Sequence, residues 1–319
     1  MQKYKTIELA FKKPFSFEKT FYIPSHFPSK LELYENGNYY MSLNFNGQIV
    51  GLKFYQKEEN NLFVDIFSDT KLSDEYINSL ITEIDFRFSL TKDYSEFYDK
   101  FKSDKFLSSI IERNCGKHIS SIYSLYQNLI ISTFLQNATI QRTISMCENM
   151  MSRYGSTVNF DGVQMYAFWD IKDFNPEEED LKKMKVGYRD KNIIRINNYF
   201  KENGISDIPL RDLPTPQLVK ELLKIFGVGK QTVYYLVSGQ FHRTEYLEHI
   251  PLWERKILSK YIFDIELQEE KVLVNWFKEK YGNWCGFALS MIFEDIFYQH
   301  KQSPLLWLNE ILKAGNVKD

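Results

Sequence analysis

The apolar pattern of the chain changes once, near residue 97, and this change limits the possible folds more than any other feature. Before it, segments that alternate or run apolar are separated by Asn and Gly, as strands of an antiparallel meander are. These segments are 31–45, 48–55 and 61–68. Residues 73 to 84 then read as a helix with Ser73 as its N-cap. Residues 1–96 are therefore predicted to form a β-rich α+β domain.

From residue 97 onward, segments with the helical period follow one another with short polar breaks, and strand signals nearly vanish. The predicted helices cover 122–135, 139–153, 189–203, 215–226, 230–238, 254–263 and 269–281. A chain of 319 residues is long enough for two domains, and a single core of that size would be unusual. Residues 97–319 are therefore predicted to form a second domain that is all-α.

Charge and histidine content limit the class of ligand. A net charge of −2 is not typical of a nucleic-acid-binding protein. Any contact with phosphates must therefore come from backbone amides, helix N-termini and a few placed cations. The histidines show no ligand spacing, so neither a metal nor another cofactor is expected. They are His118, His242, His249 and His300, four of the five histidines in the chain.

The cysteines and the apolar segments indicate the compartment. Cys115, Cys147 and Cys285 lie far apart and cannot form a four-thiolate iron–sulfur site. They do not suggest a disulfide framework either, so a reducing compartment, the cytoplasm, is expected. No signal peptide is recognisable, and no window approaches ~20 uninterrupted apolar residues, so no membrane-spanning segment is expected.

The sharpest local motif is a glycine turn between two helical segments, LLKIFGVGKQTV at residues 222–233. Gly227 and Gly229 permit positive φ and close backbone approach. The free N–H groups at the start of the second helix can then bind a phosphate oxygen without reading sequence. For a Gly-x-Gly tripeptide alone, an ordinary tight turn between packed helices is the simpler interpretation.

The context of this turn resembles the hairpin of the helix-hairpin-helix DNA glycosylase superfamily, and other segments resemble that family in the same order. The chain is most similar to the branch that contains 3-methyladenine (alkyl-base) and 8-oxoguanine DNA glycosylases. Four further segments carry the likeness: 94–116, 128–142, 186–191 and 282–297. A single segment is weak evidence for the family. The glycine turn and these four segments, five in the family's order, are more specific evidence.

The resemblance implies a fold and a function together. The fold would be an antiparallel sheet with a helix, like that of the TATA-binding protein, followed by a bilobal helix-hairpin-helix glycosylase domain. The function would be base-excision repair, in which a damaged base leaves the helix of double-stranded DNA and its N-glycosidic bond is hydrolysed. A monomer is expected, in the cytoplasm at the nucleoid or, in a eukaryote, in the nucleus.

The resemblance assigns the residues that contact DNA. Asn137 falls where the family has the side chain that fills the vacated space, with Gln136 and Arg142 beside it; a polar helix cap that faces water is the alternative. Tyr188 and Arg189 would touch the backbone or the orphaned base, and a solvated helix start is their simpler interpretation. The remaining DNA contacts would come from the turn: Gly227, Val228, Gly229, Lys230 and Thr232.

Gln231 stands where bifunctional family members carry a catalytic lysine. A glutamine cannot form a Schiff base with the sugar, so the resemblance implies a monofunctional enzyme without lyase activity. Lys230 is one residue away, but one step along a helix turns a side chain by about 100°, toward a different face. A contact with phosphate or solvent is the better interpretation of Lys230.

The position of the family's catalytic aspartate is open to two counts. Counting from Pro251 puts Trp253 at that position, whereas counting back from the apolar positions Ile257 and Leu258 puts Glu254 there. The second count is preferred because the apolar face fixes the helix register. Glu254 is therefore the candidate catalytic carboxylate, although a helix N-terminus favours a carboxylate in any case.

The last set of carried-over residues forms the base pocket, which would be aromatic and apolar. An alkylated purine carries a positive ring that π-faces attract, so this pocket favours an alkylated base. Leu289 stands where the 8-oxoguanine branch has a base-reading glutamine, which disfavours an oxidised base. Ordinary core packing, an oxidised-purine glycosylase and a non-catalytic lesion-binding protein remain alternatives. The pocket residues would be Tyr235, Trp253, Phe287, Leu289 and Phe293.

Overall fold

A computed structural model describes residues 1–26 and 29–313. The N-terminal part is a five-stranded antiparallel sheet in the order β1-β5-β4-β3-β2. Its strands are β1 (Gln2–Leu9), β2 (Glu32–Glu35), β3 (Asn38–Phe45), β4 (Gln48–Tyr55) and β5 (Leu62–Ser68). The single strand predicted at 31–45 was wrong, because a turn with positive φ at Asn36 and Gly37 divides it in two. Strand β1 was not predicted.

Helix α2 (Asp74–Phe88) lies across one face of this sheet. The Ser73 side chain caps it by accepting a hydrogen bond from the Tyr76 amide at 3.1 Å. Its buried apolar residues recur at intervals of three and four, so one face of the helix meets the sheet. These residues are Ile77, Leu80, Ile84 and Phe88, and the sheet supplies Val50, Leu52, Phe54, Val64 and Ile66.

The rest of the described chain is mainly helical and contains two separate apolar cores. One core gathers α5, α6, α8 and the glycine turn, and the other gathers α3, α4 and α11 to α13. The helices are α1 (Phe17–Phe21), α3 (Ser95–Phe101), α4 (Ser108–Asn114), α5 (Leu125–Leu135), α6 (Ile140–Tyr154), α7 (Glu178–Lys183), α8 (Asp190–Asn203), α9 (Thr215–Leu222), α10 (Lys230–Tyr235), α11 (Leu252–Phe263), α12 (Glu270–Tyr281), α13 (Cys285–Gln302) and α14 (Leu306–Lys313). The bilobal arrangement agrees with the predicted fold.

The helical part of the chain also contains a β-hairpin, which follows α6 and was not predicted. Its strands are β6 (Ser156–Phe160) and β7 (Val163–Ala167), joined by a turn at Asp161-Gly162. The hairpin packs on the sheet face opposite α2, where the Phe160 ring lies so close to Gly51 that a Cβ there would come within 2.5 Å of it. Each strand is only five residues long and buries its apolar face against the other domain, so its own pattern is weak.

Among the described residues, no helix is long and apolar enough to span a membrane.

Candidate active site

The candidate catalytic residue, Glu254, is buried at the start of α11. The helix begins at Leu252 after Pro251, and Glu254 lies in its first turn with 4% of its surface exposed. Two consecutive tyrosines of α10 donate hydrogen bonds to its carboxylate. The Tyr235 hydroxyl donates to Oε1 at 2.8 Å and the Tyr234 hydroxyl donates to Oε2 at 3.1 Å. Both carboxylate oxygens are therefore held in place.

Burial changes the protonation of this site. It raises the pKa of Glu254 to about 7, an increase that hydrogen bonds from Tyr235 and Tyr234 partly offset and that the charge of Glu294 reinforces. Burial and the adjacent carboxylate also raise the pKa of both tyrosines well above the usual value, so their hydroxyls remain donors. Glu254 therefore exchanges its proton near neutral pH, which suits a general acid or base.

Trp253, the alternative position from the first count, lies beside the same tyrosine as Glu254. The Trp253 indole Nε1 donates to the Tyr235 hydroxyl at 3.1 Å, and its ring meets Phe293 edge-on at 5.3 Å. Both residues thus adjoin Tyr235, but only Glu254 brings a carboxylate to it. Tyr234, the second donor, was missed from the sequence; its position next to Tyr235 was the one available signal.

Only part of the predicted base pocket is gathered here. Tyr235, Trp253 and Phe293 are in contact, and Leu289 lies one helical turn before Phe293. The prediction that Phe287 lines the base pocket was wrong. It is fully buried on another face of α13, where its ring lies 4.8 Å from that of Tyr94 and also packs against Phe97 and Trp284. It is a core residue and not a pocket wall.

Neither of the two best-defined pockets among the described residues adjoins Glu254. Tyr235, which is 38% exposed, lies over the carboxylate. The larger of two small pockets has a volume of about 50 Å³, and it lies near Gly227 and Thr232 and not near Glu254. A cavity that binds benzene measures about 150 Å³. Neither pocket marks a purine site, and Tyr235 borders the Glu254 carboxylate.

The glycine turn is exposed, as the phosphate-contact hypothesis requires. Helix α9 ends at Leu222, four residues earlier than predicted, and Gly227 adopts a φ of +84°. Gly229 faces open space, whereas Val228 is buried and anchors the turn. Within the described chain, the backbone N–H groups of the first turn of α10 have no hydrogen-bond acceptor. They belong to Lys230, Gln231 and Thr232.

The residues predicted to fill the vacated space meet in one exposed loop. Asn137 adopts a φ of +47°, and its side-chain amide donates to the Tyr188 hydroxyl at 3.2 Å. Tyr188 is 59% exposed and donates in turn to the Gln136 carbonyl at 3.4 Å. The Arg142 guanidinium approaches from α6 to the vicinity of Gly187. We call residues 136–140 and Tyr188 the insertion loop.

The prediction that Arg189 contacts DNA was also wrong, because its side chain is buried. It is 1% exposed, and its guanidinium donates to the carbonyls of Thr133 (3.0 Å), Val186 (3.1 Å) and Gln136. Two of these carbonyls lie at the C-terminal end of α5, where a positive charge is favoured. Arg189 therefore supports the insertion loop from beneath.

Solved structures identify the fold. The chain is similar to MBOgg1 in complex with a low-affinity DNA ligand, with a TM-score of 0.70 and 20% identity over 95% of this chain and 97% of that one. It is also similar to 3-methyladenine DNA-glycosylase from Archaeoglobus fulgidus (TM-score 0.72, 17% identity, 92% and 99% covered). A third match is the apo form of 8-oxoguanine glycosylase/lyase from Clostridium acetobutylicum (TM-score 0.68, 18% identity, 92% and 97% covered).

No protein-family model and no curated protein matches the sequence. The structural likeness therefore shows the fold, over nearly the whole length of each chain, and it confirms the fold expected from the sequence.

Proposed function

We propose that the protein is a DNA glycosylase that removes an alkylated purine, with Glu254 as its catalytic carboxylate. One observation carries the proposal: on a fold shared with 3-methyladenine and 8-oxoguanine glycosylases, the Glu254 carboxylate is buried, held by two tyrosine hydroxyls and bordered by aromatic rings. An acid of this kind near neutral pH is typical of a catalytic site.

The proposed reaction is hydrolysis of the bond between the sugar carbon C1′ and the base nitrogen. The electron pair of that bond leaves with the base, which is cationic when alkylated and becomes neutral. A water molecule adds its oxygen to C1′ and passes a proton to the Glu254 carboxylate. The ionised carboxylate also stabilises the positive charge that develops on the sugar.

The absence of strand cleavage is a second part of the proposal. Gln231 occupies the position of the lysine that forms a Schiff base in bifunctional members of the superfamily, and an amide cannot act as that nucleophile. Lys230 is exposed at the start of the same helix, and its ammonium group is free to approach a phosphate. The expected product is therefore an intact strand with an abasic site.

Contact with DNA would come from local features, since the net charge is −2. The unpaired amides at the start of α10 can bind phosphate oxygens, and the insertion loop presents Asn137 and Tyr188 to the space that an extruded base leaves. Such contacts are sequence-independent, so the affinity should fall steeply as the salt concentration rises.

The test is incubation of the protein with methylated duplex DNA, with released bases and abasic sites as readouts. Wild type should release methylated purines, and Glu254→Gln should reduce the rate by about 100-fold or more. Glu266 has an exposed carboxylate in the loop after α11, so Glu266→Gln is the control and should retain full activity. Equal rates for wild type and Glu254→Gln would exclude Glu254 as the catalytic group.

One observation favours a second candidate, a lesion-binding protein that does not cut. Tyr235 covers Glu254, and the carboxylate is buried. If the cover never opens, the protein would bind methylated DNA more tightly than undamaged DNA and release no base. Binding without release from wild type would therefore support this candidate.

A further inference from the structure

The larger of the two pockets lies between the insertion loop and the glycine turn, and among the described residues no charged side chain lines it. Helix α5 supplies one side, helix α8 a second, and the glycine turn with the first turn of α10 the third. We call this opening the α8 pocket. Its apolar lining residues are Leu129, Ile196 and Phe226, and its polar ones are Ser132, Thr133, Gln136, Asn192 and Thr232.

Most of these polar side chains have unused hydrogen-bonding groups. The Thr133 hydroxyl donates to the Leu129 carbonyl at 2.9 Å, whereas the other four polar side chains make no hydrogen bond with the described residues. Each of the four has a hydroxyl or an amide group that can donate. Several unpaired donors around one opening are typical of a site that binds a polar ligand.

Two cations lie beside this pocket. Lys191 and Arg195 are exposed and one helical turn apart, next to the two pocket residues that α8 supplies. Neither forms an ion pair within the part of the chain that the structure describes. The Arg195 guanidinium lies 5.7 Å from the centre of the Phe226 ring, which lines the pocket. An opening with neutral donors inside and positive charge at its edge favours an anion.

The size of the α8 pocket restricts the kind of anion. Its volume of about 50 Å³ has room for roughly four water-sized groups. A phosphate group, with its oxygens around one phosphorus, is of this size, whereas a nucleobase is larger. Hydroxyl and amide side chains commonly bind the phosphate oxygens of DNA. A strand that contacts both the insertion loop and the glycine turn would pass the pocket, because the pocket lies between them.

We propose that the α8 pocket binds a phosphodiester group of the DNA strand that spans the insertion loop and the glycine turn. Asn192 and Thr232 donate hydrogen bonds to the phosphate oxygens, and Arg195 supplies the positive charge. This contact rests on the proposed function, which requires DNA binding. It depends on side chains and a cation, so substitutions can remove it while the backbone amides of the glycine turn stay in place.

The experiment measures binding to an undamaged duplex at several salt concentrations by fluorescence anisotropy. Arg195→Gln removes one cation, so the slope of log affinity against log salt should become shallower by about 0.9, and the affinity should fall about fivefold near ~0.1 M salt. Asn192→Asp keeps the side-chain volume but places a carboxylate in the pocket, and should weaken binding about tenfold. Lys271→Gln, which removes an exposed cation of α12 in the other lobe, is the matched control and should change neither quantity.

Arg195 is exposed, so Arg195→Gln should keep the wild-type melting temperature and remain informative even if Asn192→Asp folds poorly. If wild type binds the duplex and Arg195→Gln binds it with the same slope and affinity, the α8 pocket does not contact the backbone. Inorganic phosphate is the second probe, and at equal ionic strength it should displace the duplex no better than chloride does. Selective displacement by phosphate, abolished by Asn192→Asp without weaker duplex binding, would assign the pocket to free phosphate and overturn the proposal. Absence of base release with these binding effects present would count against the proposed catalysis alone.

Discussion

The glycine turn and the Glu254 site are joined by helix α10 but differ in what they present to a ligand. At its start, Gly229, Lys230 and Gln231 are exposed and the amides are unpaired. At its end, Tyr234 and Tyr235 hold a carboxylate that is 4% exposed. The amides at the start of α10 can meet a phosphate directly, whereas the carboxylate at its end is buried against Tyr235.

The largest expected effect is on the free energy of unfolding, through Glu254 at the buried end of α10. The pKa of Glu254 is about 7 in the folded chain and ordinary in the unfolded one, so wild type loses stability as pH rises through this interval. Glu254→Gln does not ionise. Between pH 4 and pH 8, the free energy of unfolding should therefore shift in favour of the variant by about 3 kcal/mol. Chemical denaturation at both pH values measures this shift. A constant difference would show that Glu254 titrates normally.

The second expected effect is that base release at the Glu254 end of α10 depends on pH, whereas DNA binding at the glycine-turn end does not. Because the proposed reaction needs ionised Glu254, base release should fall about tenfold for each pH unit below 7 and reach a plateau above it. Affinity for undamaged duplex should not change over pH 5 to 8, since backbone amides do not titrate. Single-turnover release and binding assays at matched salt would measure both. A release rate that is flat down to pH 5 would contradict the assignment.

The third effect tests the exposed end. Gly229 has a negative φ and faces open space, so Gly229→Glu should fold normally while placing a carboxylate beside the free amides. We expect about tenfold weaker binding to duplex DNA, because the new charge competes with and repels phosphate. Gly229→Ala is the control and should bind like wild type. If both variants bind equally, the turn does not contact the backbone.

The smallest effect concerns the cover itself. Tyr235→Phe removes a hydrogen bond that lowers the pKa of Glu254, so the pH profile of release should move to higher pH. At pH 7 we expect a decrease of about threefold. Tyr246→Phe, a partly buried tyrosine in the loop before α11, should leave the profile unchanged. A faster reaction with Tyr235→Phe would instead mean that opening of the cover limits the rate.

Much of the fold could be predicted because local patterns agree with it. Strand β4 was predicted at its observed bounds, Ser73 caps α2 as its type suggests, and the apolar residues Ile257 and Leu258 fixed the register that places Glu254. The hairpin β6–β7 was missed because long-range packing stabilises it. The hairpin β6–β7 has strands of five residues that are stabilised by another domain, and such long-range packing leaves no local pattern.

The contacts of the candidate site residues could not be predicted from the sequence. An arginine next to a tyrosine in a family motif looks like a DNA contact, but Arg189 is buried beneath α5, and only its three carbonyl partners reveal this. Phe287 and Phe293 look alike in sequence, but they lie on different faces of α13.

The seating of hairpin β6–β7 on the N-terminal sheet has a consequence for that domain. The TATA-binding protein uses its sheet to bind the DNA minor groove directly. Here the centre of one sheet face is occupied by α2 and the centre of the other by Phe160 over Gly51. A duplex cannot replace a ring that fills the place of a side chain on Gly51. With α2 on one face and the hairpin on the other, the sheet holds the two domains together and leaves neither face centre free for a duplex.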